Sequence, residues 1–279
     1  VDVAAHLDHS YLAVQGPPGT GKTFTGSHII RRLLDSGKRV GVTAFSHAAI
    51  NNLLQAVIDV RPTTTVLRQG KAPNDPHKRL ANTTYDGDGA KWSKGNHDLL
   101  AGTAWMFSND KAVGAVDVLV VDEAGQMGLA DALASMSACD NVILLGDPLQ
   151  LAQVSLASHP GGAGASALEH VLGRDATIPP ERGVFLDTTW RMHPNLSSFL
   201  STQIYDERLV SHEQCAGQSV GGEAGLRWIR AEHDGCDTSS SVEAELVADT
   251  IGSLLGRTWI DFDGNQHEVT AEHVMVVAP

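Results

Sequence analysis

Residues 16–23, Gly16, Pro17, Pro18, Gly19, Thr20, Gly21, Lys22 and Thr23, satisfy the spacing GxxxxGK[ST]. Glycines at these positions let the backbone curl until successive amides and a helix N-terminus face a chain of phosphates. Lys22 can then reach the β- and γ-phosphates, and the Thr23 hydroxyl can hold a magnesium ion. A second chemistry-bearing stretch, Val118 to Gln126 (VLVVDEAGQ), ends an apolar run on two adjacent carboxylates. Asp122, at the end of a buried strand, suits the water shell of the metal. Glu123 suits orienting or deprotonating an attacking water. A base poised on water favours hydrolysis over transfer to a substrate hydroxyl. The third stretch, Gly146 to Val154 (GDPLQLAQV), offers Gln150, a neutral amide that can donate to a γ-phosphate and accept from water. Standing alone, the same glutamine reads sooner as a surface residue in a loop.

These groups need elements to hold them. Tyr11 to Gln15 is a short apolar run leading into the glycine-rich turn. Ile29, Ile30, Leu33 and Leu34 then recur at helical spacing until Ser36 and Gly37. Arg39 to Ala44 reads as a strand, and Ser46 opens a helix through Ile50, Leu53, Leu54, Val57 and Ile58. Pro62 to Asn96 is polar and reads as a long surface insertion with one strand at Thr65 to Arg68. Strands follow near Leu99 to Ala104, at Val116 to Val121, buried on both faces, and at Asn141 to Leu145, with a helix over Leu129 to Ser137. Pro148 to Gly164 reads as a loop and Ala165 to Leu172 as a helix. Strands alternating with helices predict an α/β fold with an open parallel sheet and helices on both faces. The proline-rich stretch Ile178 to Gly183 marks a boundary, giving a first unit over 1–183 and a second, incomplete one over 184–279.

Composition narrows the field. The 279 residues, 42% hydrophobic and 19% charged, are enough for one large domain or two modest ones, and exclude a disordered chain. No apolar run reaches membrane-spanning length. The net charge of -13 excludes unspecific, salt-driven adhesion to nucleic acid or anionic lipid. A nucleic-acid partner would need a local groove of hydroxyls and backbone amides. Cys139, Cys215 and Cys236 form no CxxC pair, and a reducing cytoplasm is the simplest expectation. Val1 at one end and the apolar run His273 to Pro279 at the other suggest a piece of a longer chain.

Taken in order, GPPGTGKT, VDEAGQ, GDPLQLAQV and Thr189 to Pro194 (TWRMHP) resemble the superfamily 1 helicases. The branch is that of the nonsense-mediated-decay helicase and the Okazaki-fragment helicase-nuclease, of the AAA_11/AAA_12 type. Val40 to His47 with Ala49 to Leu53 is similar to that family's motif Ia, and Ala101 to Trp105 to its motif Ib or Ic. Ser158 to Gly161, Ser166 to His170 and Phe185 to Pro194 are similar to the helicase part of bacterial fusions with a RecB-like nuclease. The resemblance implies a P-loop NTPase motor of two RecA-like domains that uses ATP and magnesium to move along single-stranded nucleic acid, DNA before RNA, with any nuclease domain upstream. Residue by residue, Gly16 to Thr23 would cradle ATP, Thr23 and Asp122 would serve magnesium, and Lys22, Glu123, Gln150 and Arg191 would act on the phosphate. Trp190 stands where the family has a tyrosine that stacks on adenine, with an ordinary buried tryptophan as the other reading. Thr43, Ser46, His47 and Thr103 would contact the sugar-phosphate backbone, although Ser46 can equally cap its helix. A small-molecule P-loop kinase and a nucleotide-gated binding module remain as alternatives.

Overall fold

In the computed structural model, residues 1–87, 97–150, 164–233 and 239–278 are described. The chain divides into two units, Val1–Asp187 and Thr188–Pro279.

In the first unit a short helix, α1 (Asp2–Ala5), precedes β1 (Tyr11–Gln15), α2 (Lys22–Asp35), β2 (Val40–Ala44) and α3 (His47–Val60). There follow β3 (Val66–Gln69), β4 (Thr83–Asp86), β5 (Leu99–Ala101), α4 (Ala104–Phe107), β6 (Val118–Asp122), α5 (Leu129–Ser135), β7 (Asn141–Gly146), α6 (Ala167–Leu172) and β8 (Gly183–Phe185). The eight strands form one sheet in the order β4-β3-β5-β2-β6-β7-β1-β8, and every pairing is parallel. All strands therefore deliver their C-terminal ends to one edge, where ligands of open α/β sheets bind.

The period of two along each strand sorts side chains onto the two faces. Val14, Val40, Val42, Ala44, Val118, Val120, Ile143 and Leu145 share one core cluster with Ile29, Ile30, Leu33, Ile50, Leu53, Leu54 and Val57 of α2 and α3. Each of these two helices contributes its apolar stripe. α2 stops where Gly37 takes φ 76°, a left-handed turn that closes the helix with bonds from Gly37 N to Leu34 O and from Lys38 N to Leu33 O. Opposite, Phe107 of α4 lies against Gly41, and Leu168 of α6 against Gly146. The expected open parallel sheet with helices on both faces is borne out.

Two expectations need correction. The described part of the stretch 62–96, residues 62–87, is not a surface insertion with one strand: β3 sits inside the sheet with Val66 and Leu67 buried, and β4 is its edge strand. Thr83, Thr84, Tyr85 and Asp86 show no apolar alternation because an edge strand with few buried side chains does not need one. Residues 88–96 lie outside the described ones, as do Cys236, Leu151 to Val154 of the third motif and Ser158 to Gly161. Nor does the second unit begin at Val184. Ala13, Val14 and Gln15 of β1 pair with Gly183, Val184 and Phe185, which places this strand in the first sheet.

The second unit holds β9 (Thr188–Thr189), α7 (Pro194–Ile204), β10 (Val210–Ser211), β11 (Ser219–Val220), α8 (Ser241–Leu254), β12 (Thr258–Ile260) and β13 (Gln266–Glu268). β9 and β10 pair in parallel, whereas β11, β12 and β13 form an antiparallel sheet. His193 and His212 cap helical turns through Nδ1, accepting from Asn195 N and Gln214 N. Among the described residues no helix is long and apolar enough to cross a membrane.

Candidate active site

The loop between β1 and α2 is shaped by backbone conformation. Gly19 and Gly21 take φ 79° and 80°, a region that side-chain-bearing residues rarely enter. Gly16 N donates to Gly146 O at 2.8 Å, which ties the loop to the end of β7. Thr20 Oγ1 turns inward to Pro17 O at 2.8 Å. No side chain caps the N-terminus of α2, so the positive end of a fourteen-residue helix opens into the loop. Lys22 Nζ arches back over it to Gly16 O at 2.7 Å, and Thr23 is exposed on the first turn. Backbone dipoles and one ammonium thus converge on this loop, which is the chemistry of a phosphate cradle.

β6 ends at Asp122, two strands away on the same edge. Asp122 is 5% exposed, and burial, reinforced by the charge of Glu123, pushes its pKa up to about 6. Two features oppose the rise: the Glu123 amide, which donates to Asp122 Oδ1 at 3.0 Å, and the positive charge of Lys22. Lys22 and Asp122 therefore share one electrostatic environment. Glu123 has φ 51°, a left-handed conformation that costs a non-glycine residue about 1–2 kcal/mol. The fold holds it there: Gln126 N donates to Glu123 O, and Ala124 N to Leu145 O, both at 2.8 Å. This kink turns the chain sharply out of β6, and strain of this kind gathers at functional sites.

The turn after β7 packs directly on that kink. A Cβ on Gly125 would lie 2.4 Å from Asp147 O, and one on Gly146 would lie 2.8 Å from the amides of Ala124 and Gly125. Two facing glycines let the Asp122–Glu123 turn and the Asp147–Gln150 turn touch backbone to backbone. Asp147, 2% exposed, accepts from Leu149 N at 3.2 Å on Oδ1 and from Gln150 Nε2 at 3.2 Å on Oδ2.

Magnesium can be weighed against these donors. Among the described residues no group of three or more His, Cys, Asp or Glu is placed to hold a metal ion. Thr23 and Asp122 instead supply one hydroxyl and one carboxylate, both hard oxygen donors. That sparse set suits an ion completing its shell with water and substrate phosphates.

The first unit thus brings together the Gly16–Thr23 loop, Asp122, Glu123 and Gln150 at one sheet edge. In the second unit, Trp190 is 52% exposed and stacks on His212 with ring centroids 3.9 Å apart, so it is not an ordinary buried tryptophan. Arg191 is exposed beside it, its amide 3.3 Å from Thr189 Oγ1 and its carbonyl accepting from Gln218 Nε2 at 3.2 Å.

The candidate nucleic-acid contacts stand differently. Thr43 is fully buried in β2 with its hydroxyl lacking a hydrogen-bond partner, so it does not present that group at the surface. Ser46 Oγ caps α3 through Ala49 N at 3.1 Å. His47 Nδ1 lies 2.7 Å from Nη2 of the buried Arg68, and burial and that positive charge lower its pKa. Thr103 Oγ1 lies 3.4 Å from Gln69 Oε1.

Sequence reasoning missed Gln15 and Asp147 as site residues. Gln15 is wholly buried: its Oε1 accepts from Ile178 N at 2.7 Å and its Nε2 donates to Ala176 O at 3.1 Å. No local signal marks either residue, because their partners lie across the fold.

A parallel sheet with a phosphate loop after its first strand and an acidic pair at the end of a strand two places away defines a P-loop NTPase of RecA-like architecture. The chain belongs to the AAA domain family, AAA_30, whose profile matches residues 1–171; the motifs had suggested the AAA_11/AAA_12 type. It is 28% identical over 223 residues to the DNA replication ATP-dependent helicase/nuclease dna2 of Schizosaccharomyces pombe, covering 76% of this chain and 16% of that protein. It is 26% identical over 263 residues to the putative ATP-dependent RNA helicase ECM32 of Saccharomyces cerevisiae, covering 77% of this chain and 23% of that protein. The chain thus spans about a sixth to a quarter of the length of these relatives. A solved complex of Arterivirus nonstructural protein 10 (helicase) with DNA aligns with TM-score 0.44 and 18% identity, over 75% of this chain and 43% of that one. The superfamily 1 resemblance read from the motifs is borne out by relatives of the expected branch.

Proposed function

We propose that this chain is the motor core of an ATP-dependent helicase or translocase that hydrolyses ATP with magnesium and moves along single-stranded nucleic acid, DNA before RNA. We read the second unit as the start of a second RecA-like domain, a role in DNA repair or replication as the setting, and a nuclease domain as a further part of the same polypeptide. The observation that carries the hydrolytic reading is the strained Glu123 beside Asp122, on the same edge as the Gly16–Thr23 loop.

In this reading the loop amides and Lys22 bind the phosphates, and Thr23 with Asp122 holds the metal. Magnesium, when held there, would supply neutralisation of charge on the phosphates. Glu123 orients the attacking water and takes its proton, Gln150 reads the γ-phosphate, and Arg191 stabilises the charge developing on it. Trp190 carries adenine by stacking. Ser46, His47 and Thr103 line the strand track, and Thr43 supports it from within the sheet.

The test is steady-state ATP turnover with and without single-stranded DNA or RNA. Stimulation by one polymer, abolished by Lys22→Ala, is expected. Turnover indifferent to both polymers would contradict the motor reading and favour an enzyme acting on a small molecule.

A further inference from the structure

Two residues of α3, His47 and Asn51, lie four positions apart and so share one face of that helix. One guanidinium holds both. Arg68 of β3, 3% exposed, donates from Nε to Asn51 Oδ1 at 3.1 Å and from Nη2 to His47 Nδ1 at 2.7 Å. Its Nη1 turns back to the carbonyl of Gln69 at the end of the strand. None of these acceptors is a carboxylate, and among the described residues none forms an ion pair with Arg68. A buried cation is ordinarily matched by an anion, because burying it alone is costly. This one faces an imidazole instead.

The contact decides the state of the ring. A guanidinium only donates, so the imidazole nitrogen that accepts from it carries no proton. His47 is therefore the neutral tautomer with its proton on Nε2. Burial and the positive charge of Arg68 act in the same direction, lowering the pKa of the ring. His47 is nevertheless exposed at the strand-end edge, and its Nε2 makes no hydrogen bond to the described residues. Donation into Nδ1 polarises the ring and strengthens the N–H on its far side. The charge of Arg68, out of reach of any ligand, is thus expressed at the surface as one polarised donor. Such a donor suits an anionic oxygen, and it supplies a local attraction in a chain whose net charge is -13.

We propose that Arg68 is a positioning residue that fixes His47 as a neutral Nε2–H donor to a phosphodiester oxygen of the strand. This rests on the reading that His47 lies along the single-strand track. Asn51 holds the guanidinium against α3, so the fork meets the ring in one geometry.

The test uses the whole protein with isotope-labelled histidine rings, read by NMR at neutral pH. The parent should show His47 protonated on Nε2 and unprotonated on Nδ1, and single-stranded oligothymidylate should shift the Nε2 signal. Affinity for the same oligonucleotide is then compared in the parent, His47→Ala, Arg68→Met and the double variant. Arg68→Met should weaken binding by about fivefold in the parent background and by less than about 1.5-fold in His47→Ala, because Arg68 acts through the ring. Equal weakening in both backgrounds, as general loosening of β3 would give, overturns the proposal. A parent whose His47 carries its proton on Nδ1 overturns it too, a result that needs no Arg68 variant to fold. Oligonucleotide binding that leaves the Nε2 signal unmoved also overturns it, and takes His47 off the track without touching the motor reading. A shifting Nε2 signal in a protein that never hydrolyses ATP would support the proposal and sink the motor reading.

Discussion

The two halves of the strand-end edge in the first unit are built on different terms. Around β1, β6 and β7 the backbone itself makes the site: left-handed glycines, a strained Glu123, and two turns touching through Gly125 and Gly146. Around β2, β3 and β5 the side chains proposed to meet nucleic acid already serve the protein. Ser46 caps α3, His47 lies on Arg68, Thr103 lies near Gln69, and Thr43 is buried. A phosphate cradle made of backbone cannot be lent to another role, so its motif reads clearly as function. A hydroxyl at a strand end serves equally well as a cap, so its motif carries two meanings.

That contrast can be attacked first at Asp122. Its carboxyl titrates at about 6 in the folded protein against an ordinary 3.8, so on raising the pH the unfolded chain gives up this proton first. The group's stabilising contribution is full below about pH 4 and is lost as the pH rises through 6, by about 3 kcal/mol in all. Asp122→Asn, without nucleotide or metal, should therefore be the more stable protein at pH 7.5 and nearly equal to the parent at pH 4. Urea unfolding at the two pH values measures this, and parallel stabilities would show that burial there carries no such cost.

Gly125→Ala probes the contact between the two turns. The added methyl meets backbone rather than a yielding side chain, so a loss of about 2 kcal/mol is expected, with slower turnover at saturating ATP. Unchanged stability and turnover would mean that the turns are free to part. The smallest effect belongs to the other half of the edge. Ser46→Ala should cost about 1 kcal/mol through the lost cap while leaving ATP affinity unchanged. A thermal melt alongside nucleotide titration separates the two readouts.

The same contrast explains what was legible in the sequence. β1 was read at its observed bounds because an apolar run stops at a glycine motif, and α3 because Ser46 announces it. β6 and β7 were visible as apolar runs buried on both faces. By comparison, β4 carries the polar sequence TTYD and lies at the sheet edge, so neither apolar alternation nor burial marked it as a strand. β8 follows two prolines and looks like the start of something new, yet it pairs with β1 across more than 160 residues of chain. In the site, Lys22, Thr23, Asp122 and Glu123 were legible because their spacing is local. Gln15 and Asp147 were not, since what distinguishes them is a set of partners brought close only by the finished sheet.

The most direct test of the hydrolytic site is Glu123→Gln, which keeps shape and removes the base. ATP binding, followed by titration with a fluorescent analogue, should stay within about threefold of the parent, while turnover falls by about 10²–10⁴-fold. Turnover at the parental rate would contradict the assignment of Glu123 as the residue that takes the proton from water.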